Sequence, residues 1–301
     1  MNVLTHAPTA ADLLQTLRLA QPALSRFDPL PRIISLDDFN RGSCGFVQLI
    51  GNYEGSLDSM LPEYAGFRAP MISTLSHWDT GSQGAMGGDY ALKLATRAEA
   101  GAQSVAIKRL TFRKRAPIRL EFYFTFKPEA SEMRLSEADV RSFGFLLDLQ
   151  TGDTDSDGAR VMPHLRFLNA SNGQHAQRWQ FKRRSKAVHK LGTEDKVVSH
   201  FHLSEDDWED LAGGGQRLCY NEIPTKVNWH YVCFDFDLQT MQATGLRCND
   251  RVFDLGASHD CIRLPAMPNL WCMLNLAFFI EADSAKRAFL YLDGVCLSGA
   301  L

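Results

Sequence analysis

The sequence has little net charge and no cluster of cysteines. Lys and Arg total 32 and Asp and Glu total 35, so the formal net charge is −3. Because proteins that bind phosphate backbones usually carry a strongly basic face, this balance argues against a nucleic-acid partner. The seven cysteines include no Cys-x-x-Cys pair and no spacing typical of metal ligands. We therefore expect free thiols, several of them in the core, and a cytoplasmic protein.

Several targeting and catalytic signatures are also missing. The first residues carry neither the basic flank nor the apolar stretch of a signal peptide. No window approaches the ~18 apolar residues of a membrane span, so we expect no membrane partner. No Gly-x-Ser-x-Gly elbow indicates an esterase. The glycine-rich segment 81–88 lacks the Lys-Ser/Thr of a phosphate-binding loop and leads into a strand, so it predicts tight turns.

In many segments of the sequence, apolar and polar residues alternate with a period of two. In residues 119–126, leucine and phenylalanine alternate with polar residues, as in a strand with one buried face. The excess of phenylalanine, 19 against 7 tyrosines, suits broad apolar sheet faces. The other strand candidates are residues 90–96, 104–113, 143–150, 164–169, 177–182, 229–237, 243–248, 272–281 and 287–297. This pattern predicts an all-β protein, a two-sheet antiparallel jelly-roll sandwich.

Two helices interrupt the predicted strands. Residues 9–20 begin with the capping residue Thr9 and carry an apolar stripe of leucines. A short acidic helix over 205–211 is predicted after Ser204, and the glycines that follow would end it. We therefore expect an N-terminal helical appendage, residues 1–31, and one jelly-roll domain, residues 32–301.

Three segments carry a family resemblance. They are Gly88 to Leu94 (Gly-Asp-Tyr-Ala-Leu-Lys-Leu), Trp229 to Val232 (Trp-His-Tyr-Val) and Tyr291 to Val295 (Tyr-Leu-Asp-Gly-Val). Together they resemble the concanavalin A-like jelly roll of laminin-G-type lectin domains, carbohydrate-binding modules, and related glycoside hydrolases and polysaccharide lyases. The resemblance covers about residues 35–298 and implies a saccharide ligand. Segments 218–224 and 267–275 also resemble a bacterial family of unknown function, which implies no activity.

The sequence departs from the catalytic members of that group. Their retaining hydrolases carry two carboxylates on one strand, and here Glu121 stands alone between Arg119 and Tyr123. Some jelly-roll lyases use Arg, Gln, His and Tyr on the concave sheet. Those residue types are present outside the lyases' motifs. Whether the protein is an enzyme stays open.

Polar side chains on the outer faces of the strands form the candidate ligand site. The candidate ligand-binding residues are Arg119, Glu121, Tyr123, Asp148, Gln150, His164 and Arg166, with Trp78 as a loop residue for stacking on a sugar. Arg178, Gln180 and Lys182 share a face in the next strand. If these strands are neighbours, they form a concave groove that suits hydroxyl-rich or acidic sugars. In a lyase, His164 or Tyr123 would be the base and Arg119 or Arg166 the neutralising cation.

Three of the other tryptophans are predicted to be structural. Trp229 and Trp271 begin apolar strands, and Trp179 alternates with polar neighbours, so all three are expected in the core.

Metal signals are weak. Asp153, Asp155 and Asp157 mimic the start of a calcium loop, but the twelfth position is His164 instead of glutamate. We interpret them as a solvated hairpin loop and expect no cofactor, with calcium kept as a hypothesis. His200 and His202 share one strand face and lack a third zinc ligand in the sequence pattern.

Three classes of function follow from these patterns. The leading hypothesis is that the protein binds a carbohydrate or sugar acid on the concave sheet face. The second is an intracellular saccharide-active enzyme of the polysaccharide lyase or glycoside hydrolase type. The third is a non-catalytic interaction module that forms a homo-oligomer through sheet edges or faces.

Overall fold

The structure is a computed structural model. It describes residues 9–49, 66–73, 85–129, 137–151, 159–184, 189–190, 197–198, 205, 207–220, 228–255, 261–266 and 270–300. Within these ranges one α-helix, α1 (Ala10–Ala20), precedes a series of β-strands, and short 3-10 turns lie at Pro22–Arg26 and Glu137–Asp139. None of these helices has the length and hydrophobicity needed to cross a membrane.

The strands follow one another along the chain with few helical interruptions. In chain order they are β1 (Arg32–Asp37), β2 (Val47–Gln48), β3 (Met71–Ser73), β4 (Ala91–Ala95), β5 (Gln103–Leu110), β6 (Pro117–Pro128), β7 (Val140–Gln150), β8 (Ala159–Met162), β9 (His164–Ser171), β10 (Gln174–Lys182), β11 (His189–Lys190), β12 (Val197–Val198), β13 (Trp208–Gly215), β14 (His230–Asp237), β15 (Gln242–Cys248), β16 (Arg251–Phe253), β17 (Ile262–Pro265), β18 (Met273–Ala282) and β19 (Ala288–Gly299).

These strands form two antiparallel sheets. The first sheet has the order β16-β15-β14-β6-β19-β4-β3, with β1 also paired to β19. The second sheet has the order β13-β10-β9-β7-β18-β5-β2, and β8 pairs with β7 and β17. A small separate ladder joins β11 and β12. The protein is therefore a two-sheet antiparallel sandwich, as the sequence predicts.

The core lies between the two sheets and is rich in phenylalanine. Phe122 and Phe126 of β6 point inward, while the polar residues between them point outward. The Phe122 and Phe278 ring centroids lie 4.9 Å apart across the sheets, and those of Phe126 and Phe143 lie 4.7 Å apart. Burying each such side chain contributes about 1.5–3 kcal/mol, so this aromatic layer holds the sheets together.

The strand predictions are confirmed, with boundaries that shift by a few residues. The N-terminal helix is confirmed as well. The Thr9 hydroxyl accepts a hydrogen bond from the Asp12 N–H at 3.2 Å, and the Asp12 carboxylate accepts one from the Thr9 N–H at 2.8 Å. This reciprocal pair satisfies donors that a helix start leaves free, which is why the sequence signal was sufficient.

The predicted acidic helix over 205–211 is wrong for its described residues, because Trp208–Gly215 forms the strand β13. Trp208 pairs with Lys182 of β10, and Asp210 pairs with Gln180. The capping and acidic signals are local and weak, and hydrogen bonding along the edge strand of a sheet outweighs them.

The tryptophan predictions have mixed outcomes. Trp179 is confirmed in the core, where its indole N–H donates to the Gln216 amide oxygen at 2.9 Å. The core prediction for Trp271 is wrong, since this residue precedes β18 and is 60% exposed. Trp229 packs against Phe289 and Tyr291 on the outer side of the first sheet, not between the sheets.

The seven cysteines are free thiols. Five are buried, Cys44 is half-buried and Cys219 is exposed. The prediction of free cysteines, several of them in the core, is confirmed.

Candidate functional site

The candidate site residues lie on two different faces of the sandwich. Those of β6 lie on the outer face of the first sheet, whereas those of β7 and β9 lie on the outer face of the second sheet. The first face holds Arg119, Glu121 and Tyr123, and the second holds Asp148, Gln150, His164 and Arg166. A single groove that contains all seven therefore does not form. Trp78, the calcium candidates Asp153, Asp155 and Asp157, and the pair His200 and His202 lie outside the described residues.

The first face is covered by residues 22–30, which we call the N-terminal cover. The Tyr123 hydroxyl donates to the Arg26 carbonyl at 2.9 Å, and the Asp28 N–H donates to Glu121 Oε1 at 2.8 Å. Leu24 and Phe27 are buried against the sheet, and the ring centroids of Phe27 and Tyr123 are 5.6 Å apart. The polar side chains that the sequence singled out here hold the chain's own N-terminal segment in place.

Ionic contacts complete this covered face. Arg119 Nε donates to Asp235 Oδ1 at 2.7 Å, and Arg119 Nη1 donates to the Asp28 carbonyl at 2.7 Å. Tyr231 donates its hydroxyl to Glu121 Oε1. Burial raises the pKa of Glu121 above its usual range, although hydrogen bonds from Tyr231 and Asp28 oppose the shift.

On the second face, two of the candidates are committed to structural bonds. Both Asp148 oxygens accept hydrogen bonds from Arg160, at 2.8 Å each, in a bidentate pair that is largely buried. The Gln150 amide donates to the Leu270 carbonyl at 2.7 Å. These contacts join β7 to β8 and to the segment before β18.

His164 is fully buried beside Lys182, which is also fully buried. The His164 Nδ1 atom lies 2.8 Å from the Met162 carbonyl, which can only accept, so this nitrogen carries the proton. Burial lowers the pKa of His164 to about 3. The imidazole is therefore neutral at physiological pH, and it is a poor base for proton abstraction.

Arg166 is held in one orientation by a short relay. Its Nε donates to the Gln180 amide oxygen at 2.8 Å, and the Gln180 amide nitrogen donates to Asp210 at 2.7 Å. The guanidinium carbon lies 4.4 Å from the centroid of the Trp208 ring. Burial lowers the pKa of Arg166 to about 10, so it remains a cation at neutral pH.

A second carboxyl approaches Arg166 from β18. Glu281 Oε2 lies 3.9 Å from Arg166 Nη1 and accepts a hydrogen bond from the Ser142 hydroxyl at 3.0 Å. Burial and the neighbouring Glu205 carboxyl raise the pKa of Glu281 well above its usual range. Glu205 also pairs with Arg141, at 2.5 Å.

We call Arg166, Gln180, Lys182, Trp208 and Glu281 the Arg166 cluster. The sequence pattern places Gln180 and Lys182 on the correct face but does not indicate Trp208 or Glu281. The available signal for Glu281 was a single acidic residue at the end of the apolar run of β18, where a buried charge requires a partner. The sequence does not indicate Trp208 as a site residue, because the pattern of its segment predicts a helix.

The described part of the chain contains no group of three His, Cys, Asp or Glu side chains arranged to hold a metal ion. The contacts of the second face instead suit an organic ligand. They combine a fixed guanidinium, amide groups and an aromatic ring, and these are the groups that bind carboxylates and hydroxyls.

Comparison with solved structures finds sandwich proteins at low similarity. Lectin II from Ulex europaeus is 9% identical, with a TM-score of 0.37, and the match covers 77% of this chain and 93% of the lectin. The CBM2 module of the evolved Dit of Lactobacillus casei BL23 phage J-1 is 12% identical, with a TM-score of 0.39 and coverages of 90% and 96%. The potassium-bound carbohydrate recognition domain of Emp46p is 8% identical, with a TM-score of 0.30 and coverages of 85% and 98%.

No curated protein matches this sequence. One family model does match, over residues 14–301, and its description is "Domain of unknown function (DUF6772)". Because this match spans nearly the whole sandwich, the chain belongs to the DUF6772 family.

Proposed function

We propose that the protein binds a sugar acid on the outer face of the second sheet, with the ligand's carboxylate at Arg166. The observation that carries this proposal is the guanidinium of Arg166, which is only 6% exposed and is held by one hydrogen bond, from Nε to Gln180, among the described residues. Its terminal nitrogens keep their donor capacity. A guanidinium fork fits a planar carboxylate in a bidentate geometry, which a lysine cannot match.

The charges around Arg166 support an anionic ligand. Its nearest described acid is Glu281, at 3.9 Å, which is beyond hydrogen-bond range. Because the pKa of Glu281 is raised, this carboxyl is neutral over more of the pH range and compensates Arg166 only weakly. The buried Lys182, whose ammonium lies 5.1 Å from the Trp208 ring centroid, adds a second cation. Glu205 and Asp210 also favour the charged form of Arg166, but among the described residues no carboxylate is hydrogen-bonded to it, so a ligand carboxylate would form its first hydrogen-bonded ion pair.

Trp208 and the Gln180 amide can contact the part of a sugar that lies beyond its carboxylate. The indole is half-buried at the start of β13, beside Phe279, with ring centroids 6.2 Å apart. Aromatic side chains with an apolar face and a polar edge pack well against the C–H face of sugars. The Gln180 amide, which already bonds to Arg166 and Asp210, keeps one N–H and one oxygen lone pair for the hydroxyls of a ligand.

The test is titration calorimetry with galacturonate and glucuronate, compared with galactose and glucose, which lack the carboxylate. We expect the wild type to prefer the uronates. Replacing the guanidinium in Arg166→Lys should weaken uronate binding about tenfold or more, since a charge-assisted hydrogen bond contributes about 1.5–3 kcal/mol.

The matched control is Arg109→Lys. Arg109 lies on the same face and is exposed on β5, outside the Arg166 cluster. Its substitution therefore replaces arginine by lysine in the same way without altering the proposed site. Its affinity for the uronates should equal that of the wild type. Equal binding by Arg166→Lys and wild type, or equal preference for neutral sugars, would remove the basis of the proposal.

The raised pKa of Glu281 favours one alternative, a saccharide-active enzyme. A carboxyl that stays protonated near neutral pH can act as a general acid toward a bound ligand. Release of reducing ends or of unsaturated uronates from acidic polysaccharides, and its loss in Glu281→Gln, would support this alternative. Binding without any turnover would leave the protein as a binding module.

A further inference from the structure

Four polar side chains surround Tyr123 on the outer face of the first sheet. Glu121 and Thr125 lie two residues before and after Tyr123 on β6, and Asp293 of β19 is paired with Tyr123. Trp229 immediately precedes β14, whose His230 pairs with Phe124, so it lies beside Thr125. Neighbouring positions on one face of a sheet are about 5–8 Å apart, so these side chains form one patch, which we call the Tyr123 patch.

The Tyr123 patch contains unsatisfied polar atoms. Glu121 Oε2, Thr125 Oγ1, Trp229 Nε1 and Asp293 Oδ1 are buried, and none forms a hydrogen bond with any residue in the described part of the chain. Glu121 and Thr125 are 0% exposed and Asp293 is 1% exposed. Native proteins satisfy nearly all buried polar groups, so four such atoms in one patch require an explanation.

Other bonds of the same residues show that the patch is ordered. Glu121 Oε1 accepts from the Asp28 N–H, and Asp293 Oδ2 accepts from the Gly87 N–H at 2.8 Å. In each carboxyl, one oxygen therefore accepts a hydrogen bond from the backbone, and the other has no hydrogen-bond donor among the described residues. A fixed group with spare hydrogen-bonding capacity is the arrangement that a binding site needs.

The spare atoms define the chemistry of a matching ligand. Trp229 Nε1 can only donate, the carboxyl oxygens of Glu121 and Asp293 accept, and the Thr125 hydroxyl does both. The surrounding surface is aromatic: the ring centroids of Tyr123 and Tyr231 are 5.2 Å apart, and Trp229 packs on the cluster of Phe289 and Tyr291. Several hydroxyls on a ring with apolar C–H faces would satisfy both features.

The local charges argue against a cationic ligand. Burial raises the pKa of both Glu121 and Asp293, so the fold disfavours negative charge at these carboxyls. Arg119 lies beside Glu121, and Arg26 contributes positive potential at Asp293. A neutral ligand suits this environment better than an ammonium ion or a metal ion.

From this geometry we infer a second binding site, the Tyr123 patch, which takes a neutral, polyhydroxylated ring such as a monosaccharide or a cyclitol. It lies on the face opposite the Arg166 cluster and shares no residue with it. The inference therefore extends beyond the proposed function and does not depend on it.

The first experiment compares Thr125→Val with Thr96→Val by thermal unfolding. Both threonines are buried, but the Thr96 hydroxyl donates to the Arg97 carbonyl at 2.8 Å and accepts from the Ala288 N–H at 2.9 Å. Thr96→Val should lower the Tm by about 2–4 °C, because it removes satisfied bonds. Thr125→Val should leave the Tm unchanged or raise it, since the lost hydroxyl has no hydrogen bond within the described part of the chain.

The second experiment measures binding by saturation-transfer NMR with glucose, galactose, mannose and myo-inositol. We expect at least one of these probes to give a saturable signal with the wild type and with Thr96→Val. The signal should disappear in Thr125→Val and in Trp229→Phe, which keeps the aromatic ring and removes the N–H donor. NMR is preferred to a Tm shift here because sugars at high concentration stabilise proteins without binding.

Two results would overturn the inference. One is a loss of Tm in Thr125→Val equal to that in Thr96→Val, which would show that ordered water already satisfies the hydroxyl. The other is a complete absence of binding, or binding that is equal in the wild type and Thr125→Val. Arg166→Lys separates the two proposals, because it should abolish the uronate preference and leave the neutral-sugar signal intact.

Discussion

The outer faces of the two sheets carry the same alternating polar pattern and use it in different ways. On the first face, Arg119 and Tyr123 bond to the N-terminal cover, so polar side chains serve to attach another part of the chain. On the second face, the polar side chains bond to each other across strands, as Arg160 does with Asp148 and Arg166 with Gln180. In the described part of the chain, only the second arrangement leaves a buried guanidinium, that of Arg166, with unused donors.

The difference shows that alternation alone does not identify a binding surface. A polar residue on an outer face becomes structural when a segment of the same chain covers it. It becomes a candidate for ligand recognition when its donors or acceptors exceed the partners that the fold supplies. This criterion selects Arg166 on the second face and the Tyr123 patch on the first.

The largest expected contrast concerns the ion pairs of the two faces. Asp148→Ala leaves Arg160 buried and unpaired, so we expect a loss of about 3–5 kcal/mol in the free energy of unfolding. Asp235→Ala on the first face should cost less than about 1 kcal/mol, because its pair with Arg119 is partly exposed and Arg119 keeps the Asp28 carbonyl. Urea denaturation of both variants measures the difference. Equal losses would contradict the view that the second face is the more deeply buried.

A smaller effect is expected from loosening the N-terminal cover. Leu24 is 1% exposed and packs against Cys296, so Leu24→Ala should cost about 2–3 kcal/mol. Leu13→Ala is the control, since Leu13 of α1 is 46% exposed and its loss should stay within about 0.5 kcal/mol. The affinity of Leu24→Ala for uronates should equal that of the wild type, because the cover lies on the other face. A loss of uronate binding would show that the faces are coupled.

The sequence was sufficient for the strands but not for their partners. Alternation is a local property, so the run through Phe122 and Phe124 identifies β6 and its buried face directly. Sheet membership depends on distant pairings, such as that of Arg119 with Asp235, which are separated by 116 residues. For this reason the alternation predicts one groove for the side chains of β6 and β9, although they lie in different sheets.

The errors within the site have similar physical causes. The acidic neighbours of Trp208 favour a helix, but hydrogen bonding between β13 and β10 makes this segment a strand. Glu281 lies in an apolar strand, and its significance depends on Arg166 and Glu205, which are far away in the sequence. Arg166 and His164 were found because each alternates with apolar residues on β9, the one signal that a single strand carries.

The sharpest test of the second face is a pH dependence of stability that depends on Glu281. Its pKa is raised in the folded protein by burial and by Glu205, so the fold favours the protonated carboxyl. The stabilising contribution is complete below the unfolded pKa of about 4.5 and declines as the pH rises toward the folded pKa. His164 has the opposite sign, because its pKa is lowered to about 3 and stability is lost as the pH falls below about 6.5.

Urea denaturation of the wild type between about pH 5 and about pH 8 should therefore show a loss of stability at the alkaline end. Glu281→Gln keeps the size and the hydrogen-bonding character of the protonated carboxyl, so it should flatten this slope. Glu121→Gln on the first face should flatten it less, since hydrogen bonds from Tyr231 and Asp28 stabilise that carboxylate and oppose the burial that raises its pKa. If Glu281→Gln kept the full slope, the carboxyl beside Arg166 would be charged in the folded protein. A charged carboxylate would then already lie beside Arg166, and the guanidinium would attract an anionic ligand less strongly.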